Sequence, residues 1–205
     1  ELLEMTAAGC PKPAMRSVEF ARNHHVRLHV RSSFTWEVGT WVTEEESMEH
    51  AIISAVVDDD SEAKVTITGV PDRPGIAASL FRRLADSNVN VDMIVQNVSE
   101  DGVTDISYTA PKEDLGTSLA ITEGLAQEIG ATGVTADSAI ARVSVVGAGM
   151  KSNPGVAATM FETLAGNGIN IEMISTSAIR ISCVIAAEQL EQAVVVLHDA
   201  YGLSS

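Results

Sequence analysis

Polar and apolar positions alternate along KVTITGV (64–70): Val65, Ile67 and Gly69 fall on one side, Thr66 and Thr68 on the other. That pattern predicts a strand buried on one face. Pro74 follows, and a proline loses nothing in the first turn of a helix, where its missing N–H would have no intrahelical partner. Beyond it Ala77, Leu80, Phe81, Leu84 and Ala85 recur at helical spacing and predict one apolar face. NVDMIVQNV (90–98) and TDISYT (104–109) predict two further strands, with SEDG as the turn between them. A second helix over 112–129 carries Leu115, Leu119, Leu125 and Ile129 on one side, and GVTAD (133–137) predicts a short last strand. The order β-α-β-β-α-β is that of the ferredoxin-like unit.

The pattern then returns. Pro74 and Pro154 align at an offset of eighty, and over twenty-one positions ten residues are identical: Pro74, Gly75, Ala77, Ala78, Phe81, Leu84, Ala85, Asn90, Met93 and Ile94. Self-similarity of this kind means one folding unit used twice. The second copy runs through ARVSVVGA, a helix over 154–167, INIEMIST, AIRISCVIA and a helix over 188–201, and no fourth strand follows. An unpaired sheet edge would be exposed. AIISAVV (51–57) is strand-like and has no role in the first copy, so it is expected to complete the second, with the first unit inserted into it. The remaining positions, 1–47, fit neither repeat. They predict a helix over 14–24, a strand VRLHVRSS (26–33) and a short strand GTWV (39–42), with the acidic TEEES run as a linker. Because Glu1 falls inside a helical pattern, the chain is expected to be a fragment of a longer protein.

Composition narrows the partners. The formal charge of -15 argues against nucleic acid and against an anionic membrane, since both need a basic surface. Aromatics are only 4%, so the cores must be aliphatic. No apolar run approaches the roughly 20 residues that span a bilayer, and no signal peptide is expected. Cys10 and Cys183 have no metal or redox spacing, which predicts reduced thiols in the cytoplasm, and Cys183 reads as core packing. The five histidines show no ligand spacing, so no metal site is expected, and no nucleophile has a nearby base.

The repeated loops can bind something small. In both copies a strand ends at glycine and a polar loop leads into a helix opened by Pro-Gly. Free N–H groups at a helix start suit a carboxylate, and glycine lets a ligand approach the backbone. Asp72 beside that start can receive an ammonium group, so the pair fits a free α-amino acid. A tight turn before a helix would explain one copy alone. Recurrence together with Asn90/Asn170 and Asp92/Glu172 favours a site, although a shared packing need would leave the same trace.

Several stretches carry a resemblance: HVRSSF (29–34), SEAKVTITGVPDRPGIAA (61–78), NVDMIVQNVS (90–99), TDIS (104–107), VGAGMKSNPGV (146–156) and NIEMISTS with IRIS (170–182). Together they resemble the C-terminal half of the bacterial monofunctional aspartate kinases. The resemblance implies an α+β chain of two ferredoxin-like ACT domains, the first (60–138) inserted in the second (48–59 plus 139–205). Residues 1–47 would be the tail of an amino-acid kinase domain. The parent enzyme would phosphorylate L-aspartate with ATP and Mg, and this fragment would regulate it without catalysing. Lysine, threonine or both would bind at Asp72, Pro74, Gly75, Ala77 and Gln96, with Asn170 and Ile171 contributed across a homodimer of ACT domains. Asn90, Val91, Asp92, Thr176 and Ser177 would belong to the same region, and Ser99 and Ser107 would be positions sensitive for feedback. Where the family carries a lysine near ATP, this chain has Pro11 with Lys12 next to it, and Ala178 stands where the family usually has glutamate. The alternative is a free-standing ACT-domain amino-acid sensor acting on another partner.

Overall fold

The computed structural model describes residues 1–43, 52–97, 102–151 and 153–203. They fall into two compact units. A split unit gathers the described parts of Glu1–Asp59, Arg142–Ile185 and Gln189–Ser205, and an inner unit holds Asp60–Ala141 with Ala186–Glu188.

The chain begins with helices α1 (Leu2–Ala7) and α2 (Met15–Asn23), then the antiparallel pair β1 (Leu28–Val30) and β2 (Thr40–Val42), and β3 (Ala55–Asp59). The inner unit follows as β4 (Glu62–Pro71), α3 (Ile76–Asp86), β5 (Ile94–Gln96), β6 (Val103–Pro111), α4 (Leu115–Ile129) and β7 (Gly133–Asp137). Its sheet has the order β5-β6-β4-β7, every pair antiparallel. The chain then adds β8 (Ile140–Val146), α5 (Val156–Gly166), β9 (Met173–Thr176), β10 (Arg180–Ala186) and α6 (Leu190–Ala200). These strands form the sheet β3-β8-β10-β9, with Ala55 to Asp59 antiparallel to Val146 to Arg142.

The repeat in the sequence is a repeat in burial. Ile76, Leu80 and Leu84 are buried along α3, and Val156, Met160 and Leu164 along α5. A spacing of four residues drifts little around a helix of 3.6 residues per turn, so one line of side chains meets the sheet. That line corrects the predicted face. Ala85 is exposed because it lies one residue past Leu84, turned about 100° away from the sheet. Val65, Ile67, Ile106 and Tyr108 supply the sheet side of the inner core, and Val143, Val145, Ile181 and Cys183 that of the split core.

Three further expectations change. The helices begin at Ile76 and Val156 rather than at the prolines, because Gly75 and Gly155 hold φ of 101° and 107° and act as left-handed N-caps. The inner strand does not end at Gly69 but runs to Pro71, with an irregularity between Ile67 and Val70. There Gly69 has φ +66°, and a Cβ would lie 2.0 Å from Thr132 Oγ1. The strands predicted over 90–98 and 26–33 are shorter, Ile94–Gln96 and Leu28–Val30. Ahead of β5 the backbone is held irregularly, Asp92 N–H donating to Thr109 O and Met93 N–H to Thr109 Oγ1. Most of the TEEES linker lies outside the described residues.

Candidate functional site

Each unit carries a cavity at the start of a sheet-packed helix, α3 in the inner unit and α5 in the split unit. In the inner unit it measures about 280 Å³ and is lined by Asp72, Arg73, Pro74, Gly75 and Ala77 from the loop and α3. Gln96 of β5 and Thr104 and Ile106 of β6 close its other side. In the split unit the cavity measures about 270 Å³, with Asn153, Pro154, Gly155 and Ala157 facing Thr176, Ser177, Ala178 and Ile181. Both lie near the lower limit of small-molecule pockets, roughly 300 Å³.

The local geometry follows from the Pro-Gly pair. With glycine as N-cap, the first helical bonds run from Ser79 N–H to Gly75 O and from Thr159 N–H to Gly155 O. The N–H groups of the three residues before Ser79 and before Thr159 precede the first intrahelical bond and point out of the helix end, where a negative group is favoured. Asp72 is exposed and its N–H is tied to Gly102 O at 2.9 Å, which holds the loop beside the strand. An anion-accepting helix end and a carboxylate thus border one small space in the inner unit. Among the described residues, those lining the split cavity include no carboxylate.

Of the residues singled out from the sequence, Asp72, Pro74, Gly75, Ala77 and Gln96 come together on the first cavity, and Thr176 and Ser177 on the second. Asn90, Val91 and Asp92 do not line the inner cavity. They follow the far end of α3, an 11-residue helix and so about 16 Å long. Asn170 and Ile171 stand in the same relation to α5. Ser107 is paired with Thr66 across the sheet, hydroxyl to hydroxyl at 2.8 Å, and the split unit repeats this with Ser144 and Ser182 at 2.8 Å. Lys12 is exposed, its carbonyl accepting from Cys10 Sγ at 3.3 Å. Ser99 lies outside the described residues.

Sequence reasoning missed Thr104, Ile106 and Met150 as lining residues. The two β6 positions were legible in principle, since alternation puts 104 and 106 on one face. It also missed a buried ion pair, Arg142 Nη2 to Asp59 Oδ2 at 2.8 Å, which joins opposed residues of β8 and β3. Burial pushes the Cys183 thiol up to about 12, which leaves it inert as a nucleophile. Among the described residues no three His, Cys, Asp or Glu side chains meet as a cation site, and no helix is long and apolar enough to cross a membrane.

Comparison with known proteins agrees with this duplication. Residues 64–127 and 143–201 each match an ACT domain profile. The aspartokinase of Mycobacterium bovis is 48% identical over 208 residues, an alignment covering 99% of this chain and 49% of that protein. The chain therefore spans about half the length of the curated relatives it matches. Among solved structures, the aspartokinase alpha and beta subunits align with TM-score 0.69 and 43% identity, over 73% of this chain and 99% of theirs. The ligand-free regulatory subunit of aspartate kinase from Thermus thermophilus aligns with TM-score 0.69 and 40% identity, over 73% and 98%.

Proposed function

The chain belongs to the aspartokinase family, matching its regulatory subunit over nearly that subunit's whole length, and on that premise we propose that it is the amino-acid-sensing part of an aspartate kinase. The parent enzyme phosphorylates L-aspartate with ATP to 4-phospho-L-aspartate in the cytoplasm. A kinase domain or subunit beyond these residues holds the nucleotide and its Mg. Residues 1–47 form the tail of that domain, 60–138 the first ACT domain, and 48–59 with 139–205 the second.

One observation carries the reading: the same cavity recurs at the same Pro-Gly helix start in both units. In the inner cavity the α-carboxylate of lysine or threonine lies against the first N–H groups of α3, its ammonium group faces Asp72, and Gln96 offers donor and acceptor to the side chain. Asn170 and Ile171 join from another subunit of a homodimer. That placement accounts for their distance from the cavity of their own unit. The end-product amino acid inhibits by binding one arrangement of ACT domains better than another, since a ligand shifts an equilibrium only by its differential affinity.

Isothermal calorimetry with L-lysine, L-threonine and the two together tests this, alongside an aspartyl-phosphate assay on the same chain. Heat of binding without turnover is expected. A folded chain that binds neither amino acid, alone or in combination, overturns the reading.

A further inference from the structure

We propose that α1 is a strap across the loop bordering the split unit's cavity, so that an occupant of that cavity is felt by the N-terminal segment through Glu1. The identity of the occupant rests on the amino-acid reading above, whereas the strap stands on contacts within the split unit. The Glu1 carboxylate accepts two hydrogen bonds at Oε1, from Ala148 N–H and from the Ser54 hydroxyl, each 2.8 Å. Ala148 opens the turn Ala148–Lys151, and Met150 and Asn153 beyond it line the cavity. Asn153 Nδ2 donates back to Gly149 O at 2.8 Å, so the lining side chain and the tethered turn are one piece. A single carboxylate oxygen thereby joins the N-terminus, the run into β3 and the cavity loop.

Neighbouring contacts keep α1 in place. Glu4 lies 3.8 Å from Arg180, the first residue of β10, and Met5 and Ala8 pack with Val57 and Val146. Gly9 approaches β3 so closely that a Cβ would sit 2.2 Å from Asp58 O. The loop is pressed just as tightly, since a Cβ on Gly147 would sit 2.1 Å from Ile52 O. In the inner unit the corresponding loop is tied locally, Asp72 N–H to Gly102 O and Arg73 N–H to Pro71 O, both 2.9 Å. The two cavities therefore differ in what hears them. Only movement of the split unit's loop shifts the Ala148 N–H against a carboxylate carried by α1.

Amide hydrogen exchange on the 205-residue chain tests the strap, with Glu1→Ala and Glu1→Gln variants and with L-threonine and L-lysine as probes. Loss of a charge-assisted hydrogen bond at an exposed site is expected to speed exchange at Ala148 about fivefold to tenfold in Glu1→Ala. Exchange across Leu2–Ala7 rises with it while the inner loop at 71–73 is unchanged, and Glu1→Gln, which keeps an acceptor oxygen, restores most of the protection. A bound amino acid slows exchange in both 147–157 and Leu2–Ala7 of the original chain, but in 147–157 alone of Glu1→Ala. Unaltered Ala148 exchange in Glu1→Ala overturns the strap. So does an α1 response to ligand that persists without Glu1, or that is absent while the loop responds. If neither amino acid alters either loop while Glu1→Ala still frees Ala148, the strap stands and the amino-acid reading falls.

Discussion

The inner and split units build one fold around differently filled cores. In the inner unit Tyr108 stands on the sheet, its ring edge-on to Phe81 and its hydroxyl 2.7 Å from Thr122 Oγ1 and 3.3 Å from Ser118 O on α4. In the split unit Cys183 takes the corresponding strand position, and Ala193 and Leu197 take those of Ser118 and Thr122. The aromatic comes instead from the residue that caps α6, Tyr201, which reaches across to donate to Val156 O at 2.7 Å. Burying a phenol hydroxyl without a partner is costly. The polar group and its acceptor therefore changed together in each unit, and the backbone did not need to.

Moving one half of that arrangement without the other should break it. Cys183→Tyr places a larger ring and an unpartnered hydroxyl against Ala193 and Leu197. Overpacking and an unmet hydrogen bond together are expected to cost about 2–6 kcal/mol of stability by chemical denaturation. Adding Leu197→Thr supplies the hydroxyl that Thr122 offers Tyr108 and should recover part of the loss. If the single variant is as stable as the original, the two cores are interchangeable and the contrast fails.

The cavities differ as well. Among the described residues only the inner one is lined by a carboxylate, so Asp72→Ala is expected to weaken amino-acid binding roughly ten- to a hundredfold, about 1.5–3 kcal/mol, at unchanged thermal midpoint. A midpoint that falls while calorimetric affinity holds would reduce Asp72 to a turn residue.

Alkaline titration should separate the units next. Burial raises Cys183 from 9.0 to about 12, so the folded state keeps a proton that the unfolded chain releases above pH 9. Stability from this group is complete below pH 9 and is lost as pH rises toward 12, at about 1.4 kcal/mol per pH unit. Tyr108 and Tyr201, also raised by burial, act in the same direction only above pH 10. The split unit should therefore weaken first, and Cys183→Ala should move the onset from pH 9 to pH 10. Denaturation midpoints measured between those values decide it. The smallest effect is expected for Tyr108→Phe, about 0.5–1.5 kcal/mol, because Thr122 still donates to Ser118 O at 2.8 Å.

Much of this was readable before any coordinates. The eighty-residue offset announced two units of one fold, and the spacing of Leu80 and Leu84 announced which side of α3 is buried. The Pro-Gly pairs marked both helix starts, and with them the residues that border the cavities. All of these depend on local sterics and on a period that repeats within about ten residues, which a linear pattern records. Tertiary structure decided the rest. It sent Tyr201 across to Val156, paired Arg142 with Asp59 and brought Glu1 to Ala148. It also kept Asn90 to Asp92 off the inner cavity that Gln96 lines. These partners are between 45 and 147 residues apart where a side chain makes the contact. Each pairing depends on which edge, face or acceptor the rest of the fold leaves open, and no periodicity in the chain encodes that.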